Sequence, residues 1–503
     1  MFTLAGCGGG GPEVGDLGYV EGFLGGVMAD EPRAALVGRE VLAAGGSAAD
    51  AAVAAYFSMA VTLPGGAGLG GGGVCLVYDP EPERVDAFEF LPREPARAGA
   101  KFSVPGNVRG MFAVHARYGV LTWSSLLLPA ERLARDGHPI SRAFARELDD
   151  NIDLLRAHPE TALVFGAGQG AVDEAKWLQQ LPLSVMITAI RVRGAGDFYQ
   201  GQSARQFVEA VAQAGGALTL DDMRTYLPRL EEPLQAPVGD ETLYIAGGKG
   251  ALIAGRVWAM LNYRSAYADA ADDGARAHLL AAASRRAYGA GMPEGGTIPI
   301  DEEAGAALMA GFEPDRRDSV APDGAIVRAA ASQNGASLVA VDRYGQFVAC
   351  GYTMGRPFGT GILAPGTGIL LAPAESDSTV SRPVALALIN KRSLQTFLGA
   401  ALGGGSPVSL ATLPVDLLRR GVPFDAALAA PRLYDPAQPD TVFHEDALSA
   451  EAQARLSTLG YRLESTAPQG RINGFYCPGG LPRSLVCQFV NDPRGFGLSP
   501  NAN

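Results

Sequence analysis

The stretch Ala331-Ser332-Gln333-Asn334-Gly335-Ala336-Ser337-Leu338-Val339-Ala340-Val341-Asp342 decides how this chain is read. Leu338 to Val341 is aliphatic and ends in an aspartate. A turn, Arg343-Tyr344-Gly345, follows, and Phe347 to Tyr352 alternates as a partner strand would. Two paired strands are therefore expected around the turn. Gly335, at the head of the first, carries no side chain and so no hydroxyl.

Upstream, residues 33–44 read as an amphipathic helix stopped by Gly45-Gly46. Ser47-Ala48-Ala49-Asp50 has the form of a capping box and opens an alanine-rich helix to about Val61. A glycine run, Gly65 to Gly73, leads into an apolar strand, Val74 to Tyr78. The run contains a G-x-G-x-x-G string from Gly66 to Gly71, but a dinucleotide site needs a strand before it and a helix after. Here the order is reversed, and no cofactor is expected. Periodicity predicts helices through 122–153, at 203–214 and at 275–290, and an exposed connector over 291–330.

The segments AGGSAADAAVAA (44–55) and GGAGLGGGGVCLVYDP (65–80) are similar to the start of the gamma-glutamyltranspeptidase family. Further segments resemble that family in order. They are Phe90 to Ala96, Val104 to Gly110, Phe198 to Gly201, Asp221 to Tyr226, the stretch at Gly335, Ala430 to Leu433, and Asp492 to Arg494. The resemblance runs from about residue 19 to 497. It implies an α/β fold, the four-layer αββα sandwich of the N-terminal-nucleophile hydrolases.

In that family a proenzyme cuts itself, and the newly exposed threonine becomes the nucleophile. Its hydroxyl attacks while its own freed amine acts as base. Gly335, Ala336 and Ser337 occupy the places of the family's two threonines and histidine. With Gly335 there, self-cleavage by that route cannot start. A single domain over 19–503 is expected, with a large-subunit-like part (19–334) and a small-subunit-like part (335–503) left joined. Ser332 and Ser337, the nearest hydroxyls, have no recognisable base beside them.

The resemblance carries further positions over. Arg93 matches the arginine that binds the donor's α-carboxylate, as a guanidinium fork can. Thr353 is kept, but Gly355 replaces a substrate-binding asparagine. Asp377 fits the aspartate that binds the substrate amino group, while Ala374 replaces a glutamine. Only a few residues separate Asp377 from Arg382-Pro383, too few for a lid. Val384 to Leu388 replaces a segment with two substrate-contacting serines. Gly404 and Gly405 align with the glycines of an oxyanion hole, whose amides stabilise charge but supply no nucleophile.

Composition bounds the rest. The 503 residues are 47% hydrophobic and 19% charged, as in a folded globular protein. The formal charge of -12 argues against nucleic acid as a partner. No apolar run is long enough to span a bilayer. Leu4-Ala5-Gly6-Cys7 resembles a lipobox, with Cys7 as the lipidated residue and 1–18 as lipoprotein N-terminus and tether. That implies a periplasmic or membrane-anchored bacterial lipoprotein; a chance match would leave the protein cytoplasmic. Cys477 and Cys487 flank the turn signal Pro478-Gly479-Gly480 and read either as a disulfide or as buried thiols. Five scattered histidines give no metal signature.

The expected function is a noncatalytic family member, a binding or structural subunit with a protein partner at a membrane surface. Two alternatives stand beside it. One is an active gamma-glutamyl hydrolase or transferase, acting on glutathione-like substrates with an unrecognised nucleophile. The other is a binding protein for glutamate-like amino acids, using Arg93 and Asp377.

Overall fold

Two antiparallel sheets lie face to face at the centre of the molecule. The computed structural model describes residues 24–166, 173–291, 298–319, 335–374, 383–468, 470–483 and 486–502. The readings made for Cys7, Ser332, Asp377 and Arg382 lie outside them.

From edge to edge, the first sheet runs Asn501–Ala502, Gly25–Ala29, Ala336–Asp342, Phe347–Thr353, Gly72–Asp79, Arg84–Glu89 and Arg229–Glu231. The second runs Gln488–Val490, Ile472–Leu481, Gln395–Leu402, Val384–Asn390, Glu241–Ala246 and Leu234–Val238. The two strands expected around Arg343-Tyr344-Gly345 pair antiparallel, Phe347 with Val341 and Tyr352 with Ala336. The 336–342 strand also pairs with Gly25–Ala29, so segments from both ends of the chain interleave in one sheet.

Alternating side chains explain the layering. Met28, Val74, Leu76, Val339, Val341 and Phe347 from the first sheet meet Tyr244, Ala385, Ala387, Ala401 and Phe475 from the second. The opposite face of the first sheet packs on helices that include Pro32–Ala43, Ala48–Thr62 and Asn107–Tyr118. The outer face of the second packs on Gly248–Asn262, Asp273–Gly289 and Val408–Leu418. This is the expected αββα sandwich. Ser47 and Asp50 form the predicted capping box, and every residue of the helix it opens is buried. Small side chains make such complete burial sterically simple.

Three expectations need correction. Residues 122–153 break into Trp123–Asp136, Arg142–Asp150 and Ile152–Arg156, because Gly137 turns at φ +87° into a short strand, His138–Pro139. The 291–330 connector contains a helix, Glu302–Leu308, capped by Asp301 and anchored by buried Ile300. Pro478-Gly479-Gly480 is not a reversal. The strand continues through it to Leu481, which pairs with Thr396, and Gln395 donates to the Gly479 carbonyl at 2.9 Å.

Cys477 and Cys487 are joined as a disulfide. Cys75 and Cys350, directly opposite on neighbouring strands, form a second one that the sequence reading did not foresee.

Candidate functional site

Gly335 sits just before the central strand Ala336–Asp342, with φ +154°. A Cβ built there would lie 2.2 Å from the Gly403 carbonyl oxygen and 2.5 Å from the Tyr352 carbonyl oxygen. The approach is reciprocal: a Cβ on Gly403 would lie 2.2 Å from the Ala336 oxygen. Backbone therefore fills the space a side chain at 335 would need.

The Gly335 carbonyl accepts from Arg471 Nη2 at 3.0 Å. The same nitrogen donates to Glu147 Oε1 at 2.9 Å, and Arg471 Nε lies 3.5 Å from Asp30 Oδ2. Asp30 Oδ2 accepts from the Ser337 amide at 2.8 Å. Asn473 Nδ2 donates to Asp30 Oδ1 at 2.8 Å and to Ser337 Oγ at 2.7 Å. The Ser337 hydroxyl is thus buried and held in place, donating to the Arg471 carbonyl at 3.4 Å, and among the described residues no base accepts its proton. Burial pushes the Glu147 carboxyl up to about 7, against the lowering pull of Arg471. Burial raises Asp30 as well, again opposed by Arg471.

Sequence reasoning missed Asp30, Glu147, Arg471 and Asn473. They come from three distant parts of the chain and form no local motif. The one available signal was Arg471 and Asn473 alternating with apolar residues at the start of a strand-like run.

Thr353 ends the strand beside Gly335 and pairs with Gly72. It is fully buried, and its hydroxyl accepts from the Gly355 amide at 2.9 Å, within its own turn. Gly404 and Gly405 lie in the buried bend between strand Gln395–Leu402 and helix Val408–Leu418. Gly335, Thr353 and the 403–405 bend therefore converge on one end of the stacked sheets. Ser406, next in the bend, shares a hydrogen bond of 3.1 Å with the Tyr288 hydroxyl.

Arg93 stands on the rim of the same end. Its backbone bridges Val104, while Ser103 donates to the Ala372 carbonyl at 3.0 Å, which ties the rim to the 372–374 segment. Its guanidinium lies 4.8 Å from the centre of the Tyr226 ring. Arg93 Nη2 is buried without a hydrogen-bond partner. No direct contact joins Arg93 to Gly335 among the described residues. Nor do the described residues hold three or more His, Cys, Asp or Glu placed to bind a metal, or a helix long and apolar enough to cross a membrane.

The chain is similar to named proteins over nearly its whole length. It is 26% identical to the glutathione hydrolase proenzyme of Pseudomonas aeruginosa, with 94% of each chain covered. It is 24% identical to that of Bacillus subtilis, covering 88% of this chain and 85% of the relative. In fold it superposes on the cephalosporin acylase of Bacillus halodurans with a TM-score of 0.79, at 20% identity and 99% coverage of both. The sequence profile described as Gamma-glutamyltranspeptidase matches residues 34–385, from the first helix across Gly335 to the start of the Val384–Asn390 strand. The chain belongs to the gamma-glutamyltranspeptidase family.

Proposed function

We propose that this chain is a noncatalytic member of its family, uncut at Gly335, acting as a binding or structural subunit at a bacterial membrane surface. The observation that carries this reading is the closure around Gly335. The position aligned with the nucleophile has no hydroxyl, and carbonyl oxygens of Gly403 and Tyr352 stand where a side chain would start. Neighbouring hydroxyls do not take over, since Ser337, Thr353 and Ser406 are each engaged in structural hydrogen bonds. A nucleophile needs a base within reach, and among the described residues none is hydrogen-bonded to these hydroxyls as a proton acceptor. The membrane location rests on Leu4-Ala5-Gly6-Cys7, and two disulfides fit an oxidising compartment.

A chromogenic gamma-glutamyl anilide tests the reading. No turnover is expected above that of a heat-denatured sample. Turnover that disappears in Arg93→Ala would overturn it.

One observation favours a second reading, the binding of a glutamate-like amino acid. Arg93 Nη2 is a buried donor with no acceptor. An unsatisfied buried donor is costly, and a ligand carboxylate would satisfy it. Calorimetry with glutamate and glutathione tests this, and absence of heat at millimolar ligand would end it.

A further inference from the structure

Beside Gly335 is a cavity of about 290 Å³, bounded in part by Gly65, Gly66, Glu147, Asp150 and Arg471. Its charges do not balance. Arg146 at the rim pairs with Asp150 at 3.1 Å. Arg471 alone serves both Asp30, at 3.5 Å, and Glu147, at 2.9 Å. The next charged group inward, Asp492, is paired with Arg432 and Arg494, and Arg494 also meets Glu445. Among the described residues, then, the acids Asp30, Glu147 and Asp150 pair with the cations Arg146 and Arg471. With every group ionised, the cluster carries one negative charge in excess.

That excess lies at Glu147. Oε1 accepts from Arg471, but Oε2 is buried and has no partner. Gly65 leaves room for it, because a Cβ there would lie 2.7 Å from Oε2. A largely buried carboxylate in this condition favours a proton or a further cation. The cavity far exceeds the roughly 30 Å³ share of one water. The rest of its wall includes glycine, alanine and proline, which suits a short alkyl chain.

We propose that this cavity binds a small primary alkylammonium, whose –NH3+ donates to the Glu147 carboxylate and neutralises the excess charge. The ligand replaces the proton that Glu147 otherwise holds, so binding tightens as the pH rises. No covalent bond is made. The proposal does not depend on whether the chain turns over gamma-glutamyl compounds.

Propylammonium is the probe, titrated into the full chain by calorimetry at pH 6 and pH 8. Saturable binding is expected, about tenfold tighter at pH 8 because the competing proton has left. Propanol, of the same size without charge, should not bind, and Glu147→Gln should abolish the response while staying folded, with a melting temperature at pH 8 no lower than that of the native chain. Equal affinity at the two pH values in the unmodified chain overturns the proposal, whatever the variant does. So do absence of heat at 50-fold above about 1 mM, binding of propanol, or K+ displacing propylammonium at equal concentration.

Discussion

Arg471 is hydrogen-bonded to the carbonyl oxygen of Gly335 at 3.0 Å while also serving the buried carboxylates of Asp30 and Glu147. Removing it leaves two buried acids without a cation. Arg471→Ala should therefore cost about 3–5 kcal/mol in denaturant unfolding. Arg471→Lys should recover part of the loss, since one ammonium cannot reach three acceptors as the fork does. Equal stability of Ala and Lys variants would show that the charge is irrelevant.

Restoring a threonine should not restore a family enzyme. In Gly335→Thr the new Cβ meets two carbonyl oxygens, so a loss of about 2–4 kcal/mol is expected from overpacking and backbone strain. Reduced and denatured, both the native chain and the variant should run as one species of 52.1 kDa. A variant of unchanged melting temperature that splits near residue 334 would refute the steric reading.

Arg93→Ala should abolish any heat of glutamate binding, and Arg93→Lys should weaken it at least about tenfold because the bidentate fork is lost. Neither should change unfolding by more than about 1 kcal/mol, as the buried Nη2 has no partner to lose. Calorimetry beside thermal melts separates the two effects.

Glu147 gives the stability a pH dependence of known sign. Its carboxyl is pushed from 4.5 up to about 7 by burial, with Arg471 opposing. The folded state thus keeps a proton that the unfolded chain releases. The contribution is fully present below about pH 4.5 and is lost as the pH rises to about 7, on the order of 3 kcal/mol in all. Subtracting the profile of Glu147→Gln from that of the native chain isolates it. A difference that is flat between pH 4.5 and 7 would refute the assignment.

The scaffold was legible because its signals are local. Ser47 and Asp50 cap their helix with their own side chains, and the paired strands around Gly345 alternate in plain view. The missing hydroxyl at 335 was equally plain. The closure that excludes a side chain there was not, because it is made by carbonyls of Gly403 and Tyr352, and a carbonyl leaves no trace in composition. Asp30, Glu147, Arg471 and Asn473 meet only after both sheets have formed, so no spacing announces them. The strand through Pro478-Gly479-Gly480 shows the opposite failure. A strong turn signal lost to the cross-strand pairing of Leu481 with Thr396.

The bond between Cys75 and Cys350, 275 residues apart in sequence, turns that span of backbone into a closed ring, and Gly335 lies on the ring. A single scission anywhere within it, by a protease or by the chain itself, would open the ring without releasing a piece. The two arms would stay tethered through sulfur in the interior of a sheet. Nicked and intact molecules would then differ in mass by a single water until a thiol reagent and a denaturant reached that bond together.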